Sequence, residues 1–378
     1  MNKVKLGDII QFNPPESIKK GSIAKKIPME KLLPYTKKIS SFENAVYSAG
    51  PKFKNNDTLL AKITPCLENG KTAFVDILDE NEIAFGSSEF IVLRAINNIS
   101  DANYIYYLAR SPKFRNRAIG CMEGTSGRKR VNDKSLQNET FEIPNIQTQT
   151  AVARVLSSFD EKIELNNKIN KELENIAKTI YEYWFVQKID KRWEKGKLSD
   201  IANITMGQSP DGSSYNEQGE GIIFYQGSTD FGVRFPEIRQ YTTKPTRFAE
   251  AGDILLSVRA PVGTINFANK KCCIGRGLAA LNSKIGSITH LYFILKDLEM
   301  VFNRRNTDGT TFGAITKDDL FSLSVKIPPK NILIQYEKIA KPIFEKQFEI
   351  AEESSTLAQL RDFLLPLLMN GQVKVKNG

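Results

Sequence analysis

The chain has 378 residues, of which 41% are hydrophobic and 25% charged, an ordinary balance for two or three folded globular domains. Its formal net charge of +10 favours polyanionic partners such as nucleic acid, although a lysine-rich surface without such a role is the simpler alternative. No apolar run approaches the ~18 residues that a membrane-spanning helix requires, and the four cysteines lack zinc spacing. We therefore expect a cytoplasmic protein with reduced thiols, no membrane partner and no metal site.

Residues 1–146 have the pattern of a mixed α/β module. Strand-like runs at 58–63, 71–77 and 89–94 are separated by glycine, proline and asparagine. A helix is predicted over 101–114, with Asp101 as its N-cap. A loop rich in glycine and arginine follows this helix, and the module ends near Pro144.

One long helix is predicted over residues 147–188, because no proline or glycine occurs between these two positions. Its apolar residues alternate steps of three and four, which is typical of a coiled-coil seam. The seam consists of Leu156, Phe159, Ile163, Asn166, Asn170, Leu173, Ala177, Ile180 and Trp184. At ~1.5 Å per residue, a helix of this span is roughly 60 Å long.

Residues 189–330 repeat the first pattern, with predicted strands at 253–258, 263–268 and 277–281 and a predicted helix over 289–301. A second long helix is predicted over 331–371, followed by a tail at 372–378. Its predicted seam consists of Ile339, Ile343, Lys346, Ile350, Glu353, Leu357, Leu360, Leu364 and Leu367. We expect Pro342 and Pro366 to bend or interrupt this helix and Asn370-Gly371 to end it.

The two modules form an internal repeat. Lys5-Leu6-Gly7-Asp8-Ile9 corresponds to Lys197-Leu198-Ser199-Asp200-Ile201, and Asp57, Leu59, Leu60 and Pro65 recur with the same spacing as Asp253, Leu255, Leu256 and Pro261. The predicted fold class is therefore a duplicated α/β (α+β) module, joined by two long antiparallel coiled-coil helices with a pseudo-two-fold axis. Such a molecule suits a partner that is itself roughly two-fold, and duplex DNA is the obvious one.

Catalytic motifs are missing. Asn13-Pro14-Pro15 resembles part of an adenine methyltransferase motif, but Glu16 stands where an aromatic ring should stack on a flipped base. The single histidine, His290, corresponds to Asn103 in the first module, so a duplicated catalytic design is not supported. We interpret the chain as non-catalytic. A single-chain DNA methyltransferase or nuclease and a coiled-coil interaction protein remain the alternatives.

Basic and hydroxyl side chains recur around equivalent loops of both modules, where they could contact phosphates or base edges. The candidate DNA-binding residues are Lys62, Thr64, Lys71, Ser87, Ser88, Thr125, Ser126, Arg128, Lys129, Arg130, Arg259, Arg276, Arg304, Arg305, Thr310, Thr311 and Lys317. The candidate partner and coiled-coil interface consists of twelve large apolar residues of the two seams: Leu156, Phe159, Ile163, Leu173, Ile180, Trp184, Ile339, Ile343, Ile350, Leu357, Leu360 and Leu364. Solvated charge on tight turns is the alternative explanation for the basic loops.

Four segments, in this order, carry a resemblance to a known family: LSSFDEKIELN from Leu156 to Asn166, Trp184-Phe185, GDILLSVR from Gly252 to Arg259, and RDFLLP from Arg361 to Pro366. With them, the chain resembles the specificity subunit of type I restriction-modification systems over nearly its whole length. The resemblance implies two target recognition domains, each reading half of a bipartite duplex DNA target, in a system of host defence.

The same resemblance implies partners and cofactors. Two methyltransferase subunits would dock on the long helices, whose length sets the unread spacer, and restriction subunits would join them. S-adenosylmethionine would then belong to the methyltransferase subunits, and ATP and magnesium to the restriction subunits, with no cofactor in this chain.

Overall fold

The computed structural model describes residues 1–125, 127–190, 192–307 and 314–375. The chain divides into two compact units, the first made of Met1–Glu164 with Ser355–Gly378 and the second of Leu165–Ser354. Within the described residues, no helix is both long and apolar enough to cross a membrane.

The helices are α1 (Ala102–Arg110), α2 (Pro112–Gly120), α3 (Asp133–Asn138), α4 (Ile146–Glu182), α5 (Leu198–Ile201), α6 (Ile288–Thr307), α7 (Lys317–Phe321) and α8 (Lys330–Met369), with a π-helical segment at Tyr183–Gln187. The strands of the first module are β1 (Asn2–Lys5), β2 (Ile10–Phe12), β3 (Ile23–Ile27), β4 (Glu43–Val46), β5 (Lys52–Phe53), β6 (Thr58–Ala61), β7 (Thr72–Phe74), β8 (Ala84–Gly86), β9 (Phe90–Ala95), β10 (Met122–Glu123), β11 (Arg130–Val131) and β12 (Thr140–Ile143). Those of the second are β13 (Glu194–Lys197), β14 (Ala202–Met206), β15 (Tyr215–Asn216), β16 (Ile222–Tyr225), β17 (Tyr241–Thr242), β18 (Phe248–Ala249), β19 (Ile254–Ser257), β20 (Ile265–Phe267), β21 (Cys272–Ile274), β22 (Leu278–Ser283) and β23 (Ser324–Ile327).

The central sheet of the first unit is buried on both faces. Its antiparallel order is β2-β9-β6-β7, and a second sheet has the order β4-β3-β8-β5 with β3 and β8 parallel. Alternate side chains of the central sheet pack on opposite sides: Leu59 and Val92 lie in one apolar cluster, and Leu60 and Ile91 in the other, beside the helices. Burial on both faces explains why β6 and β9 lack polar alternation in the sequence.

The second unit repeats this topology. Its central sheet has the order β14-β22-β19-β20, and its second sheet, β15-β17-β16-β21-β18, again contains one parallel pair, β16 with β21. Leu255 and Leu256 point into different clusters, as Leu59 and Leu60 do. The predicted duplication of an α/β module is therefore confirmed.

The helix predicted over 101–114 is two helices. Asp101 caps α1, as predicted, by accepting a hydrogen bond from the Tyr104 N–H. The chain then breaks at Ser111, whose ψ of 145° is extended, because the following Pro112 disfavours a helical residue before it. Pro112 instead opens α2 at the position where its missing N–H costs nothing.

The long helices pair with each other inside each unit. In the second unit, Asn166 Nδ2 donates to Glu353 Oε2 over 2.7 Å, and Gln347 Nε2 donates to the Asn170 carbonyl over 3.1 Å. Residue numbers rise along α4 as they fall along α8, so these segments are antiparallel. In the first unit, Arg361 of α8 forms an ion pair with Asp160 of α4.

The seam of α4 is confirmed and that of α8 is partly wrong. The eight predicted seam residues that lie on α4 are buried or half-buried, as is the ninth, Trp184, in the π-helical segment that follows. On α8, Ile339 and Leu360 are 47% and 45% exposed, whereas Gln347 and Arg361 are buried. A heptad pattern of apolar residues does not reveal this face of α8, because the face includes the polar residues Gln347 and Arg361, whose partners lie on α4. Ile350 is buried, and Ile343, Leu357 and Leu364 are half-buried.

The prolines do not interrupt α8, which runs continuously through Pro342 and Pro366 to Met369. Each proline lacks the N–H of one helical hydrogen bond, and a bend at these positions stays a prediction. The predicted end is confirmed: Gly371 has a φ of 70°, and the Gln372 N–H donates to the Leu367 carbonyl over 2.9 Å.

His290 is a packing residue. It is 2% exposed, and its ring lies 4.3 Å from that of Phe185 and 6.1 Å from that of Tyr181. Burial lowers the pKa of its imidazole from 6.5 to about 3. The ring is therefore neutral in the folded protein at every physiological pH.

We expect His290 to make the protein acid-sensitive. Between pH 6.5 and about 3, the unfolded chain binds a proton that the folded imidazole does not, so stability falls as the pH falls through this window. The slope from this group is about 1.4 kcal/mol per pH unit. Denaturant unfolding of the wild type and of His290→Leu, measured at several pH values, should give a shallower pH dependence for the variant. Parallel curves would contradict this prediction.

Candidate nucleic-acid interface

Three loops meet at the end of β6 in the first module. The Lys62 N–H donates to the Glu89 carbonyl over 2.9 Å, and the Val131 N–H donates to the Lys62 carbonyl over 2.9 Å. The Thr64 N–H donates to the Lys129 carbonyl over 3.0 Å. These bonds join residues 62–65, 87–89 and 127–130 into one surface, which we call the first loop surface.

The first loop surface is mostly exposed and positively charged. Arg128 and Lys129 are exposed, as is the neighbouring Thr125, and Arg130 Nη2 and Nε reach the two carboxylate oxygens of Glu89 over 2.7 and 2.8 Å. The hydrogen bond from Arg130 lowers the pKa of the Glu89 carboxyl, so Glu89 remains ionised. An arginine and a carboxylate presented side by side can respectively donate to guanine and accept from cytosine in the major groove.

Equivalent backbone bonds build a second loop surface in the other unit. The Val258 N–H donates to the Gly277 carbonyl and the Ile315 N–H donates to the Val258 carbonyl, each over 2.9 Å. A bridge between Arg259 and Ala314 takes the place of the bridge between Ile63 and Arg130. We define the second loop surface as residues 207–209, 226–227, 258–261, 275–277 and 314–317.

The side chains on the two surfaces differ. Arg259 and Arg276 are exposed on the second surface, at positions that Ile63 and Ser88 occupy on the first. The Arg276 backbone N–H donates to Ser209 Oγ over 3.3 Å, and Gln226 Nε2 donates to the same oxygen over 2.9 Å. Ser209 and Gln226 were not predicted from the sequence, because they lie in loops outside the repeated segments.

Glycines let the loops of the second surface approach one another closely. A Cβ built on Gly207 would lie 2.1 Å from the Gly275 carbonyl oxygen, and one on Gly277 would lie 2.7 Å from the Gln226 carbonyl oxygen. Both obstacles are backbone atoms, so a side chain at either position requires a loop to move.

We expect Gly207→Ala to weaken DNA binding and to destabilise the second unit by about 1–3 kcal/mol, because the added methyl group separates loops 207–209 and 275–277. Thermal unfolding and DNA affinity measured on one preparation check both effects. Gly212→Ala is the control, since a Cβ there meets no atom within 4 Å. Equal behaviour of the two variants would contradict the proposed packing.

The remaining predicted residues fall in several places. Lys71 is half-buried, and its Nζ donates to the Met29 carbonyl over 3.1 Å, so it does not join the first loop surface. Lys317 is exposed, with its Nζ 5.3 Å from the centre of the Phe321 ring. Ser126, Thr310 and Thr311 lie outside the described residues, as do the side chains of Arg304 and Arg305 within α6.

A groove adjoins the first loop surface. It has a volume of about 550 Å³, and Ser87 and Ser88 line it together with Lys26, Met29 and Phe85. Ser87 and Ser88 are thus accessible from solvent, although the sequence did not indicate the other lining residues. Among the residues that the structure describes, no cluster of three or more histidine, cysteine, aspartate or glutamate side chains could hold a metal ion.

A duplicated α/β module with an exposed basic loop surface in each copy, combined with paired long helices, defines a two-module scaffold with polyanion-compatible loops. The family model for the type I restriction modification DNA specificity domain matches residues 1–175 and 190–357. The chain therefore belongs to the family of type I restriction-modification specificity subunits.

Individual relatives agree with this family. The chain is 31% identical over 341 residues to the putative type I restriction enzyme MjaX specificity subunit of Methanocaldococcus jannaschii, covering 85% of this chain and 79% of the relative. It is 21% identical over 426 residues to the type I restriction enzyme HindI specificity subunit of Haemophilus influenzae, covering 89% and 90%.

A solved structure has the same fold. The crystal structure of a type I restriction-modification S subunit from M. genitalium aligns with 100% of this chain and 96% of its own, with a TM-score of 0.58 and 17% identity. At this identity, the likeness supports the fold alone.

Proposed function

We propose that this chain reads DNA sequence for a type I restriction-modification complex, with each module recognising one half of a bipartite duplex target. The observation that carries the proposal is the pair of loop surfaces: equivalent backbone hydrogen bonds place them, but different side chains cover them. One scaffold with two sets of reading residues is what a target with two different half-sites requires.

The long helices complete the proposal. Two methyltransferase subunits dock on α4 and α8, restriction subunits join that core, and the helices set the unread spacer between the half-sites. Exposed apolar side chains on both helices, including Leu165, Ile176, Ile339 and Phe363, support a docking role. Ile339 and Leu360, which are outside the intrachain seam, belong to this proposed interface.

The chain itself is proposed to be non-catalytic. The buried, neutral His290 and the structural role of Asn13 support this. The side chain of Asn13 donates to Asp133 Oδ2 over 2.6 Å and accepts from the Val92 N–H over 3.0 Å. S-adenosylmethionine would bind the methyltransferase subunits, and ATP and magnesium the restriction subunits.

Selection from a random duplex library tests the function. The full chain, purified with the methyltransferase subunit of its own system, should enrich one bipartite sequence with a fixed spacer. Adding S-adenosylmethionine should methylate adenine in each half-site, and omitting the methyltransferase subunit should abolish methylation. Enrichment of no sequence, or methylation by the lone chain, would overturn the proposal.

A further inference from the structure

A buried arginine joins the second module to both long helices. Arg234 lies in the loop between β16 and β17 and is 8% exposed. Its Nη1 is 3.0 Å from Glu174 Oε2 on α4, and its Nη2 donates to Gln347 Oε1 on α8 over 2.7 Å. The guanidinium carbon also lies 4.8 Å from the ring centres of Phe267 and Phe344.

A lysine of the first module makes the corresponding contacts. Lys37 lies in the loop between β3 and β4, and its Nζ donates to Asn103 Oδ1 over 2.7 Å and to Ser157 Oγ on α4 over 3.0 Å. The same atom lies 5.1 Å from the ring centre of Phe74 and 5.3 Å from that of Tyr107. It is thus a cation enclosed by aromatic rings and bonded to the long helix.

The two cations occupy equivalent positions in the repeat. The Phe74 N–H donates to the Lys37 carbonyl over 2.8 Å, and the Phe267 N–H donates to the Arg234 carbonyl over 3.1 Å. Phe74 and Phe267 are the last residues of β7 and β20, which take the same place in the two central sheets. The sequence comparison missed this equivalence because the surrounding loops differ in length and composition.

Removing a cation from water is a costly way to fill space, and here Arg234 is buried and Lys37 half-buried. An aliphatic side chain of the same length would pack against these rings without desolvating a charge. Unlike an aliphatic side chain, the cation forms directional hydrogen bonds: Arg234 bonds to both long helices and Lys37 to one. These bonds constrain the angle at which each loop meets the helices. This constraint matters most where orientation itself carries the function.

We propose that Arg234, bonded to α4 and α8, and Lys37, bonded to α4, are positioning residues that hold each module at a fixed rotation on the long helices and thereby restrict the spacer length that the protein accepts. The inference rests on the proposed function. One added base pair turns one half-site by about 34° relative to the other and moves it by about 3.4 Å. A module that can rotate on its helices would tolerate such a change, and a fixed module would not.

The test is library selection with the full chain and its methyltransferase subunit, using duplexes in which half-sites and spacer are randomised. For Arg234→Met, we expect the preference for the selected spacer over spacers one base pair longer or shorter to fall at least about tenfold. The bases selected within each half-site should not change. We expect the same for Lys37→Met, and the double variant should accept the widest range.

Matched variants separate positioning from stability. Arg234→Lys keeps a cation among the rings and should retain most of the spacer preference even if its Tm falls. Arg239→Met is the control, because this exposed arginine is paired with Glu237 and Asp230 in the same loop. A spacer preference that is unchanged in Arg234→Met and Lys37→Met, with the wild type selecting a bipartite site, would overturn the inference. Failure of the wild type to select any site would instead overturn the proposed function.

Discussion

Replacing Arg259 and Arg276 together with alanine is expected to lower the affinity of the complex for its target by about 10²-fold or more while leaving recognition of one half-site intact. Both side chains are exposed on the second loop surface. Each arginine that forms a bidentate contact with guanine contributes about 1–3 kcal/mol of discrimination. The loss should therefore fall on the half-site read by the second module and not on the other.

Binding measured against three duplexes checks this result: the full target, and two duplexes in which one half-site or the other is scrambled. The arginine variant should distinguish the full target from a scrambled first half-site, but no longer from a scrambled second half-site. Arg128→Ala with Lys129→Ala, on the first loop surface, should produce the opposite pattern. A uniform loss against all duplexes would assign these residues to phosphate binding, and the slope of the salt dependence would then fall by about one for each arginine removed.

A control distinguishes surface charge from specific placement. Arg239→Ala removes one positive charge from the same unit, but its guanidinium is held by Glu237 at 2.8 Å and lies outside the second loop surface. We expect little change in affinity and none in half-site preference. If Arg239→Ala matched the effect of losing Arg259 or Arg276, general electrostatic attraction would explain the binding and the modular reading of DNA would be wrong.

The sequence predicted the scaffold better than the reading residues. The repeated leucines are buried in both copies, so packing constrains them and their spacing identified β6 and β19. The partners of the turns that follow these strands come from loops that differ between the copies. Ser209 and Gln226 beside Arg276, and Glu89 beside Arg130, meet only through tertiary structure. Neither spacing nor periodicity indicates such pairs.

The same limit applies to the long helices. An apolar repeat located the face of α4 correctly because most of its own buried and half-buried positions there are apolar. On α8, the buried positions include Gln347 and Arg361, each of which has a polar partner on α4. Sequence alone assigns an unpaired polar residue to the surface, and the predicted seam of α8 therefore included Ile339 and Leu360 instead. Whether a polar residue is buried therefore depends on the helix that packs against it, and the pattern of its own segment does not show this.

Replacing Arg361 with methionine is expected to destabilise the first unit by about 3–5 kcal/mol. The side chains of Arg361 and Asp160 are 8% and 10% exposed, and Arg361 Nε also donates to Asp362 Oδ1 over 2.9 Å. Arg110, whose side chain is 3% exposed, reaches the same Asp362 oxygen over 2.7 Å. Removing Arg361 leaves the Asp160 carboxylate buried without its cation, which costs more than the lost pairing itself.

Thermal unfolding measures this cost, at about 2–4 °C of Tm for each kcal/mol in a unit of this size. The double variant Asp160→Leu with Arg361→Met should recover much of the loss, because no unpaired charge then remains buried. Arg117→Met is the matched control, since that side chain is 59% exposed and its ion pair with Glu139 is long, at 3.7 Å. Its loss should change the free energy of unfolding by less than about 1 kcal/mol.

A double variant less stable than Arg361→Met would contradict this prediction, because it would show that Arg361 and Asp160 stabilise the unit by more than cancelling each other's buried charge. The arginine would then be required for the packing of α8 on α4, and the low cost expected for an apolar replacement of the pair would be wrong.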